Sequence, residues 1–81
     1  MAKTLRRSTS RSQSLAASVG KRLREVRIQQ GLTQIDLEKA TGLLRSHISR
    51  IENGWRTPSV GTLKRFAAAL KAPLYTFTLT L

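Results

Sequence analysis

Apolar residues recur at helical spacing through the middle of this chain, and the period changes once, near the C-terminus. Val19, Leu23, Val26 and Gln30 share one stripe, with Leu15 a turn earlier. This predicts a first helix from about Ser14 or Ser18 to Gln30, ended by Gly31. Leu32 bridges to Thr33, whose hydroxyl suits an N-cap, and a second helix runs to about Ala40. Thr41-Gly42-Leu43 reads as a turn, with Gly42 at the left-handed position. A third helix follows from Leu44 to about Glu52, with Leu44, Ile48 and Ile51 as its apolar line and Asn53-Gly54 as its stop. After the loop Trp55 to Pro58, Ser59 caps a fourth helix whose apolar positions are Val60, Leu63, Phe66, Ala67 and Leu70. Pro73 breaks it. From Leu74 to Leu81, Thr alternates with Tyr, Phe and Leu, which is the period and composition of a strand.

Charge narrows the class of partner. The 81 residues hold 15 Lys and Arg against 4 Asp and Glu, a formal net charge of +11. That balance favours a polyanion: DNA, RNA or an anionic membrane. With no cysteine, disulfides, thiolate chemistry and Cys-zinc sites are excluded. No apolar run approaches the ~20 residues of a membrane span, and no membrane partner is expected. Residues 1–17 carry Lys3, Arg6, Arg7 and Arg11 without an acid, and are taken as a flexible basic arm. The same composition also fits an organelle transit peptide. The helical domain is placed at 18–72 and the strand at 73–81.

The third helix holds the candidate chemistry. Around its apolar line stand Arg45, Ser46, His47, Ser49 and Arg50, a set of hydrogen-bond donors. Such a helix is packed from behind and offers its front to a partner, and the B-DNA major groove admits it. A helix-turn-helix needs a residue that lets the chain turn sharply, apolar residues that lock the crossing and donors on the second helix. Gly42 meets the first need, and Leu37, Leu43, Ile48 and Ile51 the second. The lone His47 has no partner ligands for a metal, and Arg45 and Arg50 also read as ordinary solvated arginines. No carboxylate pair, Gly-rich phosphate loop, Ser/His/Asp set or metal cluster appears, so neither enzyme activity nor a cofactor is expected.

Taken together, Gly31-Leu32-Thr33-Gln34, Leu37, Thr41-Gly42-Leu43, Arg45-Ser46, Ile48-Ser49, Arg50 to Gly54, Pro58-Ser59 and Leu63 resemble the Cro/C1-type (xenobiotic-response-element) helix-turn-helix family of bacterial and phage regulators. The resemblance implies an all-α, four- to five-helix fold that binds double-stranded DNA. It implies that Arg45, Ser46 and Arg50, helped by His47 or Ser49, meet base edges. It implies that Thr33, Gln34, Asn53, Arg56 and Arg27 serve the phosphate side. Gln34 would also brace the third helix, and Arg27 would pair with Glu52. Two positions depart from the family. Glu38 stands where Ala is usual, and a long acid there either widens the crossing or turns outward toward Arg45. Leu44 stands where a Ser or Thr cap is usual, which costs about 1 kcal/mol.

A single terminal strand leaves its backbone unpaired. Leu74, Tyr75, Phe77, Leu79 and Leu81 are therefore expected to pair with a second copy across a twofold axis, a frayed tail or a fifth helix being the alternatives. That layout resembles the HipB-type antitoxins, which would add a HipA-like kinase toxin as a partner. The sequence is read as a homodimeric, cytoplasmic repressor on a palindromic operator, in its narrower form the antitoxin of a toxin–antitoxin operon. A stand-alone or phage-type repressor is the alternative, and a non-specific RNA- or nucleic-acid-binding protein the rival of another class.

Overall fold

The computed structural model of the chain describes residues 17–78. Five helices lie among them: α1 (17–29), α2 (Gln34–Thr41), α3 (Arg45–Glu52), α4 (Val60–Leu70) and α5 (Tyr75–Thr78). Their inward faces form one core of Leu23, Val26, Leu37, Ile48, Ile51, Leu63, Phe66, Leu70 and Phe77. The helical periodicity accounts for most of this list. Val60 departs from it: at the first position of α4 it is 62 % exposed, because the helix turns its buried stripe inward only from Leu63. Leu44 also departs. It is the N-cap of α3 rather than a member of the helix, and its side chain is 69 % exposed.

Local chemistry sets the helix ends. Thr33 caps α2 in a capping box: its hydroxyl accepts from the Asp36 N–H (3.0 Å), and its own N–H donates to Asp36 Oδ2 (2.8 Å). The Thr33 backbone N–H, and secondarily its hydroxyl, hold the Asp36 carboxyl below the usual aspartate value. A lowered folded-state pKa means that this cap is intact at neutral pH. Its contribution is lost as pH falls through that lowered value. The Ser59 hydroxyl caps α4 by accepting from the Thr62 N–H at 3.1 Å. The Gln30 amide donates to the Leu70 carbonyl at 2.6 Å and so ties the end of α1 to the end of α4.

The expected C-terminal strand is not formed within the described residues. Tyr75–Thr78 is a short helix, Phe77 is fully buried, and Leu74 packs at the core margin. Leu74 and Phe77 lie three residues apart, one helical face, and both enter the same core. A strand would have placed Tyr75 and Phe77 on one side. Here Tyr75 is 61 % exposed while Phe77 has no exposure. The Thr76 and Phe77 N–H groups bond to the Pro73 and Leu74 carbonyls at 2.9 and 3.1 Å, and Arg22 Nε donates to the Thr76 carbonyl at 3.2 Å. Part of the backbone that a strand would have left open is thus paired within the chain. Leu79 and Leu81 lie outside the described residues.

α1 crosses the C-terminal end of α3 at a very close approach, and Gly20 is the reason it can. A Cβ at that position would stand 2.0 Å from the Ile51 carbonyl oxygen and 3.1 Å from that of Glu52. Gly20→Ala gains up to about 1 kcal/mol of helix propensity. The clash is with backbone, which cannot swing aside, and is expected to outweigh that gain. Urea unfolding should show a net loss of about 1–3 kcal/mol. An unchanged midpoint would mean that α1 can stand further from α3.

Candidate nucleic-acid interface

α2 and α3 are joined by the turn 42–44, and backbone chemistry fixes their angle. Gly42 adopts φ 78°, a left-handed conformation that closes α2, and its N–H donates to the Glu38 carbonyl at 2.9 Å. The buried Thr41 hydroxyl donates to the Leu37 carbonyl (2.6 Å) and accepts from the Leu43 N–H (3.2 Å). Leu44 provides no side-chain cap for α3. The Glu38 carboxylate takes that place from α2, accepting the Arg45 N–H at 3.2 Å. The acid therefore turns outward toward Arg45, as one of the two expectations had it, and meets the Arg45 backbone.

The rear of α3 is anchored twice. Ile48 and Ile51 are completely buried. At its C-terminal end, Glu52 receives a bidentate pair from Arg27, Nε at 2.7 Å and Nη2 at 2.9 Å, and a further hydrogen bond from the Gln34 amide at 3.1 Å. Arg27 Nη1 also donates to the Leu32 carbonyl at 2.8 Å. Three elements, α1, α2 and α3, meet at one carboxylate. Arg27 is 9 % exposed, and its guanidinium is committed inside the domain.

On the front of α3, Arg45, Ser46 and Arg50 are exposed and Ser49 is half-buried. At about 100° per residue these four span roughly 140° of the helix, a single continuous face. His47 falls beyond its edge. It is half-buried and lines a shallow cleft with Gly42, Leu43, Leu44, Ser46 and Arg50. Arg45 also borders a second groove with Thr33, Gln34 and Ile35. The start of α2 and the start of α3 therefore open onto the same surface. At the far end of α3 the Asn53 side chain folds back, donating to the Ser49 carbonyl at 2.8 Å, while Arg56 is exposed in the following loop. Trp55 beside it is 80 % exposed. Leu74, Tyr75 and Phe77, expected to pair with a second copy, do not form one outward apolar set, for Phe77 is spent in the core.

Two contributors here differ in how far a sequence shows them. The Thr33–Asp36 spacing is a local signal for the capping box. The Glu38–Arg45 contact has no such signal, because it spans the turn. Among the described residues no cluster of His, Cys, Asp or Glu could hold a metal ion, and no helix is long and apolar enough to cross a membrane.

Residues 23–77 match the family model described as helix-turn-helix, HTH_3. Over 55 residues the chain is 46 % identical to the uncharacterized HTH-type transcriptional regulator RghRB of Bacillus subtilis (strain 168), covering 67 % of this chain and 40 % of that protein. It is 44 % identical over 57 residues to the HTH-type transcriptional repressor RghR of the same organism, covering 69 % of this chain and 42 % of the relative. The chain thus spans about two-fifths of the length of these curated relatives. Among solved structures, the restriction-modification controller protein C.AhdI from Aeromonas hydrophila superposes with a TM-score of 0.74 at 34 % identity, over 76 % of this chain and 94 % of that one.

Proposed function

From the premise that this chain belongs to the HTH_3 helix-turn-helix family, of Cro/C1 type, we propose that it is a sequence-specific DNA-binding transcriptional repressor. The observation that carries the reading is the single outward face of Arg45, Ser46, Ser49 and Arg50 on a helix whose rear is buried and clamped through Glu52. A rigid rear is what base reading requires, because a bidentate contact to a base edge tolerates little error in position.

In this reading α3 lies in the major groove. Arg45 and Arg50 donate to base edges, with Ser46 and Ser49 beside them and His47 at the groove margin. Thr33, Gln34, Asn53 and Arg56 face the phosphates on either side of α3. Arg27 acts indirectly, by holding Glu52. The +11 charge supplies affinity for any sequence, and α3 supplies the preference among sequences. An eight-residue reading helix spans only a few base pairs, so the protein is proposed to act as a homodimer on a palindromic operator in the cytoplasm. The antitoxin variant of the reading, with a HipA-like kinase toxin, drew on a terminal strand. α5 stands there instead, and the form proposed is a stand-alone repressor.

Titration against an operator duplex and a random duplex over a range of salt tests this. Affinity should fall linearly on a log–log plot, with a slope near −0.9 for each phosphate contacted. Arg45→Ala should cost about 1–3 kcal/mol on the operator and much less on random DNA. Gln34→Ala should weaken both duplexes alike. Equal losses on both duplexes for Arg45→Ala would support the rival, a non-specific nucleic-acid binder.

A further inference from the structure

Glu38 closes both ends of the turn between α2 and α3. Its backbone carbonyl accepts the Gly42 N–H at 2.9 Å, and its carboxylate accepts the Arg45 N–H at 3.2 Å. The first bond belongs to α2, and any residue would make it. The second does not. It links the side chain of one helix to the first backbone donor of the next, across three residues without regular structure. α3 has no cap of its own, because Leu44 has no hydrogen-bonding side chain.

The other three acids have local or buried partners. Glu25 pairs with Arg22, Asp36 closes the capping box, and Glu52 is clamped by Arg27. Glu38 is half-buried and forms no ion pair among the described residues. A negative charge on the DNA side of a protein with a net charge of +11 opposes binding. A role in phosphate affinity therefore does not explain it. Its position at the first N–H of α3 does, because a carboxylate there satisfies an orphan donor and complements the helix dipole.

We propose that Glu38 is a positioning residue for base reading: the bond from its carboxylate to the Arg45 N–H sets where the first turn of α3, and with it the Arg45 side chain, sits relative to α2. The inference rests on the reading that α3 contacts DNA bases. A local cap at position 44 would close the helix end equally well but would not tie it to α2. Capping and positioning can therefore be separated by experiment.

The test compares wild type, Glu38→Gln, and the double variant Glu38→Ala/Leu44→Ser, each with and without Arg45→Ala. The DNA probes are the duplex wild type selects from a random pool and a scrambled duplex. Serine at position 44 gives the double variant a local cap, so its melting temperature should stay close to that of wild type. Its preference for the selected duplex should nevertheless fall by about tenfold, as the Arg45 contact loosens. Adding Arg45→Ala should then cost it less than about threefold, against roughly tenfold or more in wild type. Glu38→Gln retains an oxygen that accepts the same N–H, and should hold the preference within about twofold. A double variant with the wild-type preference and the full Arg45→Ala effect would reduce Glu38 to a cap and overturn the proposal. Loss of preference in Glu38→Gln equal to that of the double variant would also overturn it. A wild-type protein without any sequence preference would overturn the DNA-reading conclusion itself, and this inference with it.

Discussion

Arg27→Ala is expected to unfold a large share of the protein at 37 °C, with a loss of about 3–5 kcal/mol. The size follows from what is left behind. Glu52 is 6 % exposed and would keep one hydrogen bond, from Gln34, in place of three. A buried carboxylate without its cation is far costlier than the pair was beneficial. For a domain of this length the loss corresponds to a melting temperature lower by about 12–40 °C. Replacing both partners together, Arg27→Met with Glu52→Leu, should restore most of the stability, since no charge is then stranded. Calorimetry of the three proteins checks the claim. The double variant also tests the role of Arg27 toward DNA. If Arg27 contacted phosphate, the salt slope of the refolded double variant would drop by about 0.9. The expected slope is that of wild type.

Phe77→Ala should cost a similar amount, about 3–5 kcal/mol, through lost burial and the cavity left among the core residues. The alternating sequence suggests the opposite: a terminal strand that pairs with a second copy. In that case Phe77 would be exposed in the monomer and its truncation nearly neutral. Denaturant unfolding at low protein concentration separates the two. A midpoint close to wild type would return residues 74–81 to a role between copies, whereas the buried Phe77 calls for a clear shift.

That contrast shows where the sequence was legible and where it was not. α3 and α4 could be read because each repeats an apolar position every three or four residues, whereas α2, which buries Leu37 and Thr41, was legible mainly from its ends; the end signals are Thr33, Gly42, Asn53-Gly54 and Ser59. The last segment misled because alternation of Thr with large apolar residues satisfies the strand pattern on both of its possible faces. Among the described residues of that segment, Leu74 and Phe77 find places in the core, and their spacing of three suits a helical turn better than a strand. The core they join is built from residues far away in sequence, which no local window contains.

The candidate interface divides in the same way. Arg45, Ser46, Ser49 and Arg50 follow from helical spacing about Ile48 and Ile51. His47, adjacent in sequence, is turned aside by the same spacing. Glu38 and Leu44 each looked like a defect in the motif when taken alone. The fold makes them a pair, one residue lacking a cap and the other providing it across the turn. Gly20 carried no sequence signal at all, since its need arises only from the closeness of α1 to the Ile51 carbonyl.

On the proposed function, the outward face of α3 selects a DNA sequence. Binding-site selection from a random duplex pool tests it most directly, with wild type and Arg45→Ala run in parallel. One palindromic consensus is expected for wild type, and for Arg45→Ala the same consensus with specificity lost at one symmetric pair of positions. A wild-type pool that gains no consensus after repeated rounds, or an Arg45→Ala pool identical to that of wild type, would contradict it.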